Sequence, residues 1–203
     1  MEINIQPIPA NMVYEEFGGN KYYRKGYRQV LLGLKSEEEI MGSSIYQSLI
    51  VQALVFYLKT ILPKKDYWVP TNEAGLHLHL NDNMANDIVI VEKNKLLNPQ
   101  SEQYSTIPPK FVIEVDLKID PIDASTEPQT DLSMSYIVEK SGKLLDFGVE
   151  GIAWILTRNQ QIIVARSRRN LEIYQWHEVV PLFDQYTFCL RDILIDEGIL
   201  PSA

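Results

Sequence analysis

The sequence predicts an α/β or α+β domain in which helices flank a mixed β-sheet, with a β-hairpin near the N-terminus. One long stretch, 45–62, has apolar residues at helical spacing, and several shorter stretches have strand-like patterns, of which 111–119 is the clearest. Because helical and strand-like stretches follow one another, a sheet covered by helices is the expected architecture. The length of 203 residues fits a single domain over 1–203 with one core.

The N-terminal region, 1–35, predicts an antiparallel hairpin. Turn-forming residues at 18–20 and at Gly26 accompany the β-prone stretches 21–24 and 27–32. The rest of the chain, 36–203, forms the expected core of the domain.

The longest predicted helix begins at one of two serines. Ser36 and Ser44 each have a glutamate or glutamine three residues later, which is the pattern of a capping box. For Glu39 we therefore prefer a capping role to a metal-binding one. Apolar residues recur at helical spacing until Pro63, where the helix is expected to stop.

The remaining elements follow from shorter patterns. Helices are expected at about 131–147 and 190–197, and strands at 67–69, 76–80, 87–92, 111–119, 152–156, 161–165 and 171–176.

The charge balance excludes one class of function. With 19 Lys and Arg against 27 Asp and Glu, the formal net charge is −8, so the molecule as a whole repels polyanions. Nonspecific coating of nucleic acid is therefore disfavoured. A local basic site stays compatible with this charge, because screening in physiological salt acts over about 8 Å.

The sequence favours a soluble, cytoplasmic protein. It shows neither a signal-peptide pattern at its start nor an apolar stretch approaching the roughly 20 residues of a membrane helix. The single cysteine, Cys189, lies among apolar residues and is interpreted as a buried thiol rather than a nucleophile.

The stretch 111–119 holds the residues that carry chemistry. Its alternation places Glu114, Asp116 and Lys118 on one face of a strand, and Asp87 joins them if the preceding strand pairs with this one. Charges in a row are typical of a solvated edge strand or of a site that binds a cation, and spacing alone leaves both readings open. Clustered carboxylates suit Mg²⁺ or Mn²⁺, and such an ion beside a lysine suits phosphodiester hydrolysis.

These residues also carry a family resemblance. Asp87, followed 27 positions later by Glu114-Val115-Asp116-Leu117-Lys118, resembles the PD-(D/E)xK nuclease signature. Within that superfamily the chain is most similar to the Uma-two family of predicted bacterial restriction endonucleases, through stretches at 13–19, 47–54, 109–116 and 140–154. The resemblance implies a restriction-endonuclease-like core, a Mg²⁺ or Mn²⁺ cofactor, a DNA substrate and a homodimer.

The resemblance also implies residue roles. Asp87 and Glu114 are the expected metal ligands, Asp116 is a third ligand, and Lys118 is the expected catalytic lysine. The family pattern places a lysine in the following helix, which makes Lys140 the rival.

Several positions depart from the family pattern. Asn86 replaces the usual proline, Gln47 replaces a histidine, and Thr157 replaces an aspartate. A catalytically inactive module of the same fold, which binds nucleic acid or a protein partner, is therefore the alternative function.

Overall fold

Internal contacts divide the chain into two compact units in the computed structural model, which describes residues 8–79, 82–96, 98–120, 122–123 and 130–202. One unit is formed by Met1–Ser43 with Leu117–Ser133, and a larger one by Ser44–Asp116 with Met134–Ala203. The single domain over 1–203 stays a prediction.

The described residues form four α-helices and thirteen strands. The helices are α1 (Tyr27–Leu31), α2 (Ile45–Ile61), α3 (Ser133–Phe147) and α4 (Leu190–Asp196). The strands are β1 (Val13–Phe17), β2 (Asn20–Tyr23), β3 (Tyr67–Trp68), β4 (Thr71–His79), β5 (Asp82–Glu92), β6 (Phe111–Val115), β7 (Ile122–Asp123), β8 (Thr130–Asp131), β9 (Gly151–Leu156), β10 (Gln161–Ser167), β11 (Asn170–Gln175), β12 (Val180–Phe183) and β13 (Tyr186–Phe188).

The N-terminal hairpin is confirmed, but with different strands from those predicted. β1 and β2 pair antiparallel, whereas the predicted strand at 27–32 is wrong because α1 occupies it. Gly26 has a φ of 90°, and its carbonyl accepts a hydrogen bond from the Gln29 N–H at 3.0 Å. This bond closes a helical turn where the strand was expected, since β propensity yields to local hydrogen bonding.

The start of α2 decides between the two candidate serines. The Ser44 hydroxyl accepts a hydrogen bond from the Gln47 N–H at 3.1 Å, so Ser44 is the N-cap. Ser36 lies before a short 3₁₀ turn, and its N–H donates to the Glu39 carboxylate at 2.7 Å. The Glu39 carboxylate thus makes the bond expected of the glutamate of a capping box, although the N-cap of this turn is Glu37.

The larger unit contains a mostly antiparallel sheet. Its strand order is β11-β10-β9-β6-β5-β3, with β4 also paired to β5, and β6 runs parallel to β9. The predicted helices after residue 131 and after Leu190 are confirmed, as are the three strands between 152 and 176. The β12–β13 hairpin was not predicted.

Different helices pack on the two faces of this sheet. Alternate residues of β6, namely Phe111, Ile113 and Val115, belong to the apolar cluster that α2 and α4 complete. The intervening residue Glu114 points to the opposite face. There α3 packs through Tyr136, whose ring lies 5.7 Å from that of Trp154 on β9.

Within the described part of the chain, no helix is both long and apolar enough to cross a membrane.

Candidate active site

Adjacent strands bring Asp87 and Glu114 together. The antiparallel strands β5 and β6 pair Ile88 with Ile113. One residue earlier on β5, Asp87 therefore lies opposite Glu114, which is one residue later on β6. Side chains directly opposite in an antiparallel pair share a face, with their Cβ atoms about 4.5–5.5 Å apart. The condition that the two strands pair is thus met, and two buried carboxylates are neighbours.

Lys140 reaches the same place from α3. Its Nζ lies 3.0 Å from Glu114 Oε1 and donates to the Ala85 carbonyl at 3.0 Å. The Tyr136 and Trp154 rings each have their centroid 5.8 Å from this ammonium. The side chains of Lys140 and Glu114 are only 1% and 4% exposed, so the ion pair is shielded from water.

Helical spacing explains why a lysine points inward. Tyr136, Lys140 and Leu144 follow one another at intervals of four along α3 and are all buried, so Lys140 belongs to the face that packs on the sheet. Next to it, Ser141 accepts a hydrogen bond from Trp154 Nε1 at 2.9 Å, which fixes the indole on which α3 rests.

The backbone of Val115 is held by two side chains. Its N–H donates to Asp87 Oδ2 at 2.9 Å, and its carbonyl accepts from Gln47 Nε2 at 2.6 Å. The role of Gln47 was missed at the sequence level. The available signal was a polar residue at position 47 on the apolar face of α2 that continues with Ile50 and Leu54.

The predicted strand through 119 is wrong, because β6 ends at Val115. Asp116 has a φ of 59°, a left-handed conformation that breaks the alternation of side chains. Its carboxylate accepts hydrogen bonds from the Thr157 N–H at 2.8 Å and from the Thr157 hydroxyl at 2.6 Å. Asp116 therefore closes the ends of the parallel strands β6 and β9 instead of following Glu114 along one face.

Lys118 belongs to the smaller unit. It lies outside any strand, and its carbonyl accepts a hydrogen bond from the Lys25 N–H at 2.8 Å. The structure thus brings Asp87, Glu114 and Lys140 together, while the strand that was to carry Lys118 beside them is absent from the described residues.

Tyr46 lies close enough to Asp116 for its titration to respond to that carboxylate. Burial raises the pKa of the Tyr46 phenol, and the negative charge of Asp116 raises this pKa further. The Tyr46 phenol thus stays protonated at neutral pH.

The carboxylates at this place form a small donor set for a divalent cation. The described residues contain no group of three or more His, Cys, Asp or Glu that could hold a metal ion, so the predicted cluster with Asp116 is not assembled there. Among the described residues, Asp87 and Glu114 supply carboxylate oxygens from these adjacent strands. This set suits Mg²⁺, which is often bound through one or two carboxylates with water and phosphate as the other ligands.

Comparisons with known proteins bear on the fold. No protein-family model and no curated protein matches the chain. Among solved structures, it is similar to that of "a putative nuclease belonging to DUF820 from Anabaena variabilis ATCC 29413", with a TM-score of 0.58 and 14% identity over 88% of each chain. The predicted α+β fold class, a sheet flanked by helices as in a nuclease-like fold, is thereby confirmed. The PD-(D/E)xK signature stays a prediction.

Proposed function

We propose that this chain is a metal-dependent endonuclease that hydrolyses phosphodiester bonds in DNA, with Asp87, Glu114 and Lys140 at its centre. The observation that carries the proposal is the meeting of these three side chains at one place on β5, β6 and α3. The similarity of the fold to a structure described as a putative nuclease supports it.

Asp87 and Glu114 would hold a Mg²⁺ or Mn²⁺ ion. Such an ion, when bound, polarises a phosphoryl oxygen and lowers the pKa of a water molecule. In the hydrolysis, the oxygen of water forms a bond to phosphorus, the bond from phosphorus to the leaving sugar oxygen breaks, and that oxygen gains a proton.

Lys140 supplies the positive charge in this proposal. Its ammonium is held beside Glu114 by the Ala85 carbonyl and is shielded from bulk water. A fixed charge in such surroundings stabilises negative charge that develops on the phosphate oxygens more strongly than it would in water. This geometry favours Lys140 over Lys118 as the catalytic lysine, and the bonds from Thr157 favour a positioning role for Asp116.

The net charge of the chain affects how tightly DNA is expected to bind. At a formal net charge of −8, we expect DNA to bind weakly without the divalent ion and more tightly with it. A homodimer would place two such centres on a duplex with two-fold symmetry. Light scattering tests whether the chain is a dimer, and a monomeric mass at assay concentration would contradict the proposed homodimer.

The experiment is cleavage of supercoiled plasmid in the presence of Mg²⁺ or Mn²⁺, with EDTA as the blank. We expect Asp87→Asn and Lys140→Met to reduce the rate by about 10²–10³-fold. The matched control is Lys143→Met on the same helix. Lys143 pairs with Asp82 at 2.6 Å, and its side chain is 22% exposed, so its loss leaves the proposed centre intact.

Calorimetry with Mn²⁺ and circular dichroism accompany each assay, because Lys140 is buried and its replacement affects stability. Asp87→Asn keeps an acceptor for the Val115 N–H, so it separates chemistry from folding. Metal-independent cleavage, or folded variants at Asp87 and Lys140 that cut as fast as the parent, would overturn the proposal. Binding of DNA without cleavage by the parent would favour the inactive module instead.

A further inference from the structure

A cavity separate from the candidate active site lies beside the end of the edge strand β11. A cavity of about 310 Å³ opens there between the start of β10, the end of β11 and α4. None of the residues that line it belongs to the candidate active site. Its volume is at the lower end of the roughly 300–1,000 Å³ that is typical of sites for small ligands.

The walls of the cavity are held by main-chain hydrogen bonds. The Trp176 N–H donates to the Gln160 carbonyl at 3.2 Å, and the Trp176 carbonyl accepts from the Arg191 N–H at 2.8 Å. Gln160 in the turn before β10, Trp176 just after β11 and Arg191 in α4 are thereby fixed around one space. The cavity is therefore part of the folded framework.

Trp176 provides the buried wall and an unsatisfied donor. The residue is 3% exposed, and among the described residues its indole Nε1 has no hydrogen-bond partner. A buried N–H without an acceptor costs about 1–3 kcal/mol. A ligand acceptor that reached this N–H would remove this cost.

The polar side chains around the cavity are rich in donors. Arg191, His177, Gln160 and Gln175 line it, and no aspartate or glutamate does so among the described residues. Within the same part of the chain, the Arg191 guanidinium forms no hydrogen bond or ion pair. A guanidinium with neighbouring N–H groups binds oxyanions, and it does so most strongly in a bidentate fashion.

The remaining wall is apolar. Leu200 and Pro201 line the cavity together with the indole of Trp176. An apolar wall opposite a cluster of donors suits a ligand that carries an oxyanion on a small hydrophobic body. We propose that this cavity binds a small organic anion, with a carboxylate or a phosphate that contacts Arg191 and an apolar or aromatic part that packs on Trp176 and Leu200.

The test follows the indole N–H of Trp176 by NMR. The chain has three tryptophans, so three indole resonances are expected, and the one from Trp176 is identified by Trp176→Phe or by through-bond assignment of the parent chain. The probes are benzoate and phenyl phosphate, which distinguish the two oxyanions, and benzamide is the neutral control. We expect at least one of the anions to shift the Trp176 resonance saturably below about 10 mM.

Arginine variants make the test specific. Arg191→Gln should weaken the binding by about tenfold or more, because it removes the charged donor. Arg169→Gln, at an exposed position in the turn between β10 and β11, should leave binding unchanged. No saturable shift with either anion, an equal response to benzamide, or unchanged binding by the Arg191 variant would each overturn the proposal. Plasmid cleavage should be unaffected by Arg191→Gln, so this site is tested independently of the proposed nuclease activity.

Discussion

Replacing Lys140 by methionine removes one charge from a buried ion pair while it keeps most of the length of the side chain. The Glu114 carboxylate, which is 4% exposed, then loses the ammonium that lies 3.0 Å from it. Removing one partner from a buried pair typically destabilises a protein by about 3–5 kcal/mol, because the other charge stays in a poorly solvated place. We expect a loss of this size for Lys140→Met.

The assay is urea unfolding at neutral pH, followed by far-UV circular dichroism, with the slope of the transition compared between variants. Lys143→Met is the matched control on the same helix. The side chains of Lys143 and Asp82 are 22% and 25% exposed. A pair with this access to water contributes about 0–1 kcal/mol, so the two lysine variants should differ by at least about 2 kcal/mol.

A double variant separates the charge effect from the loss of packing. Glu114→Leu combined with Lys140→Met removes both charges, and replacement of a buried pair by apolar residues is often neutral or stabilising. The double variant should therefore be more stable than Lys140→Met alone. If Lys140→Met costs no more than the control, or if the double variant is as unstable as the sum of its single changes, the pair is not buried as described and the reasoning is refuted.

Three further changes test other contacts in urea unfolding. Thr157→Val keeps the shape of the side chain but removes a hydroxyl that donates to Asp116, and it should cost about 1.5–3 kcal/mol; a loss below about 0.5 kcal/mol would contradict that bond. Gln47→Leu should cost about 1–3 kcal/mol by leaving a buried main-chain carbonyl without its donor, and an unchanged midpoint would argue against the contact. The Arg168 guanidinium, which donates to both carboxylate oxygens of Asp146, holds the pKa of Asp146 below its usual value. A lowered pKa stabilises the folded state above the unfolded pKa, and this stabilisation is lost as the pH falls through the folded pKa. Arg168→Gln should therefore lower the unfolding midpoint at neutral pH and have little effect near about pH 2, whereas an equal effect at both pH values would argue against this ion pair.

The sequence was sufficient for the features that depend on local pattern. The apolar periodicity of α2 and the stop at Pro63 located the longest helix, and the strands after residue 150 followed from short apolar stretches. The pairing that places Asp87 beside Glu114 was predictable as well, because consecutive strands are usually neighbours in a sheet.

The strand predictions that were wrong failed because of the backbone conformation of single residues. The alternating pattern from Phe111 to Ile119 looks like one strand, and only the left-handed Asp116 interrupts it. Aspartate is enriched among the non-glycine residues that adopt this conformation, but most aspartates do not adopt it, so residue type alone was too weak a signal to predict the break. The second predicted strand of the hairpin failed similarly, because its β-prone residues follow Gly26, where a helical turn closes.

The sequence alone could have predicted that Lys140 faces the sheet. It lies four residues after Tyr136 and four before Leu144, so the periodicity of α3 marked it as an inward-facing charge. What periodicity could not provide was the partner, since the contact with Glu114 depends on where α3 lies against the sheet. The choice between the two lysines therefore required tertiary structure.

The bond from the Val115 N–H to Asp87 has a consequence for how this chain can change during evolution. The carboxylate at position 87 accepts a main-chain hydrogen bond at 2.9 Å and is also the proposed ligand of a cation. A descendant without the proposed cation would still need an acceptor there, and asparagine is the replacement that keeps one while it removes the charge. Asparagine at this position would accordingly mark a lineage that retains the fold without the proposed cation ligand, whereas an apolar residue would have to arise together with a change at the end of β6.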